Sequence, residues 1–302
     1  MQLKSKTSLL LQPQFLYWSI FALLAVLYGP LIVYWCDGWL FKSIGIEHEY
    51  FSHGLLGFPF AAYIAWSQRE KWAQLKNKSH PLGGVLLGLG AAFYLTGVSD
   101  FVNLSFPIIL AGLCLWLKGI PGFKLQFFPW LLVLLATPNS IPYLITPYTM
   151  PLQKFIAGTA GFFLIQLGME VTVKEIYLFL GGRLVEVAPY CAGLKMLFTS
   201  LYVSLMLLYW TGAIESRRKI IWLLSGAVII SVAANILRNT ILSFLHGTGN
   251  EAGFHFVHES WGGDVYSAVM LGLIVLLLNL IEKWFPDYDY EEEEVYENAT
   301  EE

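Results

Sequence analysis

The chain has 302 residues, 56% of them hydrophobic and only 13% charged, with a mean hydropathy of +0.59. That charged fraction is about half the roughly 25% of an ordinary soluble domain, which argues against a soluble globular enzyme. The formal charge of −4 hides two unlike parts: Asp287 to Glu302 holds nine acids and no base, leaving thirteen acids against eighteen bases in residues 1–286. A very apolar body with a small positive excess argues against nucleic-acid binding, which needs clustered basic faces, and for a polytopic membrane protein whose few charges sit in loops.

In chain order, Lys4 and Lys6 precede an apolar run from Phe15 to Trp35. That run is too long for a signal-peptide core and lacks a small-residue cleavage site, so it reads as an uncleaved first span. Further apolar runs near the roughly 20 residues a crossing requires fall at 51–66, 82–98, 101–117, 125–145, 152–168, 192–211, 220–245 and 265–284. Several are short or carry proline, so the expected fold class is an all-α polytopic integral membrane bundle of about eight transmembrane helices. The expected domains are a membrane domain over 1–286 and an acidic, disordered cytoplasmic tail over 287–302.

Lysine and arginine collect on the cytoplasmic side of membrane proteins. Lys4 and Lys6, Arg69 to Lys78, Lys118 and Lys124, Arg217 to Lys219, and Lys283 therefore mark inside segments. Lys124 and Arg217 must then be separated by an even number of crossings. Pro138, Pro142, Pro147 and Pro151 break any helix repeatedly between them. Hence 136–168 is expected to hold an interfacial or re-entrant piece and not two complete spans. Loops 36–53, 169–191 and 246–264 fall on the outer face, and with them His48, His53, Cys191, His246, His255 and His258.

The stretch EIYLFLGGRLVEV carries two strand-like runs around Gly181-Gly182, a β-hairpin signature, so a small extracytoplasmic hairpin is expected. It leads into APYCAGLKML, where Pro189 suits the first turn of a helix and Cys191 has Lys195 one turn on. A helix N-terminus and a nearby cation both favour the thiolate a nucleophile needs. A buried cysteine also packs as a small hydrophobe, so position alone leaves both readings open. Cys36 and Cys114, in apolar runs without such a setting, read as packing.

Arg238, with Asn235 three residues before it on nearly the same helix face, sits about seven residues from the outer end of the 220–245 run, roughly 10 Å deep. An arginine within a span is costly and defaults to a functional hypothesis, its fork of donors suiting a carbonyl or an oxyanion; the alternative is snorkelling to the interface. His255 and His258, beside the last span, could each activate a thiol. His53 adds a candidate for substrate binding or support. HEYFSH is one residue too long for the metalloprotease pattern, while HFVH beside Glu259 leaves a zinc site open. A transporter or membrane scaffold, with Arg238 and the histidines lining a polar path, is the rival reading, and no inverted repeat supports it.

From Phe51 to Val269 the sequence resembles the exosortases and archaeosortases. FSHGLLG looks like that family's Ser-His-Gly segment, TPNSIPYLITPYTMPLQ like its Pro-rich segment ending in Pro-Leu-Gln, and APYCAGLKML like its cysteine segment. ANILRN is similar to its Asn-x-x-Arg segment and HESWGG to its His-x-x-x-Gly segment. The extended Pro-rich form looks most like cyanobacterial members. The resemblance implies a catalytic trio carried over to Cys191, Arg238 and His258, the last preferred to His255 because Gly262 follows it by four. His53, Lys195, Asn235 and His255 are then supporting or substrate-binding. It implies no cofactor or metal, and substrates that are exported proteins bearing a C-terminal sorting signal. One departure is that Ala192 stands between Cys191 and Gly193 where the family usually has Ser-Gly directly after the cysteine.

Overall fold

The computed structural model describes residues 13–41, 50–188, 193–258 and 261–286. Cys191, Pro189, His48, Glu259 and the acidic tail lie outside the described residues. The chain divides into two compact units, 1–144 and 145–302.

The first unit holds α1 (Pro13–Phe41), α2 (Gly54–Ser67), α3 (Arg69–Gln74), α4 (Pro81–Leu95), α5 (Ser99–Leu125), α6 (Phe127–Ala136) and most of the short α7 (Ile141–Ile145). Its interior is aromatic, with Tyr28, Trp35, Trp39 and Phe106 buried together. Two polar bonds are buried there: the Trp35 Nε1 donates to Asn103 Oδ1 at 3.1 Å, and the Tyr28 and Ser105 hydroxyls pair at 2.8 Å. Each satisfies groups that would be costly to leave bare in hydrocarbon. Helices α4 and α5 approach through glycine, because a side chain at Gly83 would collide with the Trp116 backbone nitrogen. Small residues let apolar helices come close enough for dispersion to hold them.

The second unit contains α8 (Met150–Gln166), the strands β1 (Val171–Lys174), β2 (Tyr177–Leu180) and β3 (Arg183–Glu186), then α9 (Leu194–Trp210), α10 (Arg217–Gly247), α11 (Glu251–His258) and α12 (Trp261–Trp284). The strands pair antiparallel in the order β1-β2-β3, with Leu180 opposite Arg183 across the turn and Val171 opposite Leu180. The expected two-stranded hairpin is thus the outer part of a three-stranded sheet. Its β1–β2 turn uses Glu175 at φ 60 and contains no glycine, so the usual turn chemistry does not announce it. Leu178 and Leu180 bury against Ile156, Ala160 and Leu164 of α8 and Ile236 of α10, so the sheet is packed on the helices. A second apolar cluster joins Leu208 of α9, Leu223 and Ala227 of α10, and Ile274, Leu278 and Ile281 of α12.

Among the described residues, four helices are long and apolar enough to cross a membrane: Phe15–Phe41, Ser99–Leu125, Arg217–Gly247 and Val265–Trp284. Three shorter apolar helices, Gly54–Ser67, Pro81–Leu95 and Leu194–Trp210, accompany them. The Pro-rich stretch interrupts what would otherwise be one further crossing, because α6 has 10 residues and α8 has 17. Neither α6 nor α8 alone is among the helices long and apolar enough to cross, in keeping with the proline spacing.

Candidate active site

Four buried polar residues run along α10 at intervals of four: Ser231, Asn235, Asn239 and Ser243. Residues four apart share a helix face, so they make a polar stripe turned into the unit. Part of it is satisfied within the helix: Asn239 Nδ2 donates to the Asn235 carbonyl at 2.9 Å, and the neighbouring Thr240 hydroxyl donates to the Ile236 carbonyl at 2.9 Å. The facing helix α9 carries Ser200 and Ser204, both fully buried and both donating to carbonyls four residues back. Polar side chains that close on their own backbone leave helix surfaces small enough to pack tightly.

The segment after Cys191 meets this stripe. Gly193 caps α9 in the left-handed region at φ +80, and an added Cβ there would lie 2.7 Å from Asn235 Cγ. Only glycine combines that conformation with that approach. Asn235, 1% exposed, stands one turn before Arg238 on α10. Arg238 is half-buried, and among the described residues no carboxylate lies within ion-pair distance of it. The Tyr266 hydroxyl, from the first turns of α12, donates to the Ala234 carbonyl and also faces the Arg238 amide. The turn that carries Arg238 is therefore fixed by α9 on one side and α12 on another.

The segment before Cys191 is held as firmly. The Val187 amide donates to the Ile176 carbonyl at 2.9 Å, and the Val187 carbonyl accepts from Gln153 Nε2 at 3.1 Å. Gln153 is 2% exposed and closes the Pro-Leu-Gln motif. At the hairpin turn Gly181 has φ +58, and a Cβ there would fall on the carbonyl oxygen of Gly247, the last residue of α10. The sheet and α11 thus gather at the same end of α10, which agrees with placing loops 169–191 and 246–264 on one face.

His258 ends α11 and is half-buried, its ring stacked on Phe254 at 5.2 Å between centroids and 10° between planes. His246 approaches Phe254 at 5.3 Å, and its Nδ1 lies 3.6 Å from Glu251 Oε2. His255 is exposed on the same helix, with its ring edge-on to Phe254. Lys195 lies in the first turn of α9 and is half-buried. His53 belongs to the first unit, where it precedes α2 and donates from Nε2 to the Leu135 carbonyl at 3.2 Å, tying α2 to α6. Among the described residues no three His, Cys, Asp or Glu side chains gather as a metal site requires.

Sequence reasoning quoted Gln153 without giving it a role, and it left Tyr266, Phe254, Arg183 and Glu251 unassigned. For Gln153 a signal existed, an uncharged polar side chain in an apolar run after a proline break. The others depend on contacts between distant segments.

Together these features define a polytopic helical membrane protein with a small sheet packed on its helices and a polar, arginine-bearing helix face. Residues 39–275 match the transmembrane exosortase family. The chain belongs to that family. No curated protein and no solved structure matches it.

Proposed function

We propose that this chain is a membrane-embedded cysteine peptidase or transpeptidase of the plasma membrane, acting on the outer face on exported proteins with a C-terminal sorting signal. That signal comprises a short Pro-Glu-Pro-like motif, a membrane span and a basic end. Residues 1–286 form the catalytic domain, and the acidic tail lies in the cytoplasm. The observation that carries the reading is the contact of Gly193, two residues after Cys191, with Asn235, one turn before Arg238. It supports a site shared by the cysteine segment and the arginine face of α10.

In this reading His258 takes the Cys191 proton, and the thiolate attacks the scissile carbonyl carbon. Arg238 holds the oxyanion with a fork of donors whose charge is never lost. Collapse of the tetrahedral intermediate breaks the C–N bond, and the departing amine leaves with the proton from His258. A thioester remains; an incoming amine completes transfer, or water completes hydrolysis. Lys195 supports the thiolate from the first helical turn, and His53, Asn235 and His255 support or bind substrate.

The test is expression of a tagged sorting-signal protein with wild-type or Cys191→Ala enzyme. Cleavage that persists in the variant ends the proposal. A membrane-impermeant maleimide should also label Cys191 from outside, faster with His258 than without it; a transporter gives no such dependence. We further propose that the tail attracts the basic end of the substrate. Truncation after Pro286 should slow processing at low ionic strength, where exposed charges are least screened, and unchanged processing removes that role.

A further inference from the structure

The side chains around His258 form a chain of contacts that reaches the strand leading to Cys191. Arg183 opens β3, and its guanidinium donates to the Glu251 carboxylate in the first turn of α11, 68 residues away. Glu251 also faces His246, at the C-terminal end of α10, and among the described residues Arg183 and His246 are the two cationic or titratable partners on it. One turn along α11, Phe254 lies between His246 and His258, with centroids 5.3 and 5.2 Å away. β3 continues into Val187 and Ala188, both buried, and then in sequence toward Cys191. The pair therefore joins the strand that leads in sequence to the proposed nucleophile to the helix that carries the proposed base.

From this geometry we infer that Arg183, Glu251 and Phe254 are positioning residues for His258. The inference rests on the assignment of His258 as base. Arg183 and Glu251 set the start of α11 against the hairpin, and Phe254 gives the imidazole a flat face that fixes its plane. The pair is 41% and 47% exposed, so solvent screens it and its effect is modest. Loss of an exposed pair changes a rate by about fivefold at most, and loss of a stacked ring by about two- to tenfold.

The experiment measures the rate at which iodoacetamide labels Cys191 in the full chain in native membranes, read by peptide mapping, with Cys114 as an internal reference. Arg183→Gln and Glu251→Gln should each slow Cys191 labelling about two- to fivefold. The charge-reversed double variant Arg183→Glu/Glu251→Arg should recover most of the loss. Phe254→Leu should slow it by at least as much as either, and Phe254→Tyr, which keeps the ring face, should not. Cys114 labelling should stay constant throughout, since general loosening of the protein would raise it. Wild-type labelling in both single variants, no recovery on charge reversal, or a parallel rise at Cys114 each overturns the inference. Failure of the underlying reading looks different: His258→Ala itself would then leave Cys191 labelling unchanged.

Discussion

Substituting Gly193 by alanine tests the contact that joins the cysteine segment to α10. Two costs add. A non-glycine residue in the left-handed region costs about 1–2 kcal/mol, and Gly193 sits at φ +80. The new methyl would also lie 2.7 Å from Asn235 Cγ and 2.8 Å from Nδ2, with Asn235 itself 1% exposed and unable to swing into solvent. Overpacking of that kind costs about 1–3 kcal/mol. The total is about 2–5 kcal/mol, a large part of the stability of most domains. The two costs are separable: Asn235→Ala removes Cγ and Nδ2 but leaves φ untouched. The double variant should therefore lose about 1–3 kcal/mol less than the sum of the single variants, a coupling that distant sites do not show. Unfolding by SDS in mixed micelles, followed by tryptophan fluorescence, measures all four corners of this cycle. A Gly193→Ala protein within about 0.5 kcal/mol of wild type, or an additive double variant, refutes the reasoning.

Three further outcomes follow from the same physics. Gly181→Ala should destabilise the protein by about 1–3 kcal/mol more than Gly182→Ala in the same assay; both glycines have positive φ, but only at Gly181 does the new Cβ meet the Gly247 carbonyl. Gln153→Leu keeps the approximate volume and leaves the buried Val187 carbonyl without its side-chain donor, a loss of about 1–3 kcal/mol that Gln153→Met, whose thioether has no donor either, should share. Arg238→Lys keeps the charge but loses the planar fork, and processing of a tagged substrate should fall by at least about tenfold while the amount of membrane-inserted protein stays constant.

Much of this architecture is written in the apolar runs. The long spans and the break at Pro138 to Pro151 follow from length, composition and the missing proline amides, all local properties. The hairpin at Gly181-Gly182 was equally legible, since two adjacent positive-φ residues demand glycine. The third strand was not: Val171 to Lys174 is four residues long, and its turn rests on Glu175 at φ 60, stabilised by an ion pair with Lys154 of α8. That is a tertiary choice no local pattern encodes. The polar stripe Ser231, Asn235, Asn239 and Ser243 shows the reverse case, because its spacing of four stands in the sequence. Reading it required asking which face of α10 is turned inward, and its neighbours on α9 supply that answer. The contacts around His258 were beyond reach, since Arg183 and Glu251 are brought together across 68 residues by the docking of the sheet on Gly247.

The length of α10 bears on where Arg238 sits in the proposed orientation. The helix has 31 residues, about 46 Å at 1.5 Å per residue, against a hydrocarbon layer of about 30 Å. The sequence reading took the helix to end near residue 245 at the membrane surface, which buried Arg238 roughly 10 Å deep. With the proposed orientation, the exposed Arg218 in its first turn instead anchors the N-terminal end at the cytoplasmic boundary. Twenty residues on, about 30 Å away, stands Arg238, which the proposed orientation sets at the opposite boundary. The last nine residues, about 14 Å, then project beyond the hydrocarbon and carry the sheet tip at Gly247 and the start of α11. An arginine at that level is spared most of the cost of burial in lipid, yet Tyr266 and the Gly193 contact hold its backbone turn firmly. The energetic argument that an arginine there must be functional because insertion is expensive therefore weakens, and the geometric one strengthens. In the proposed reading a cation at that level faces the peptide bond just outside the membrane, so Arg238→Lys is expected to act on processing and not on insertion.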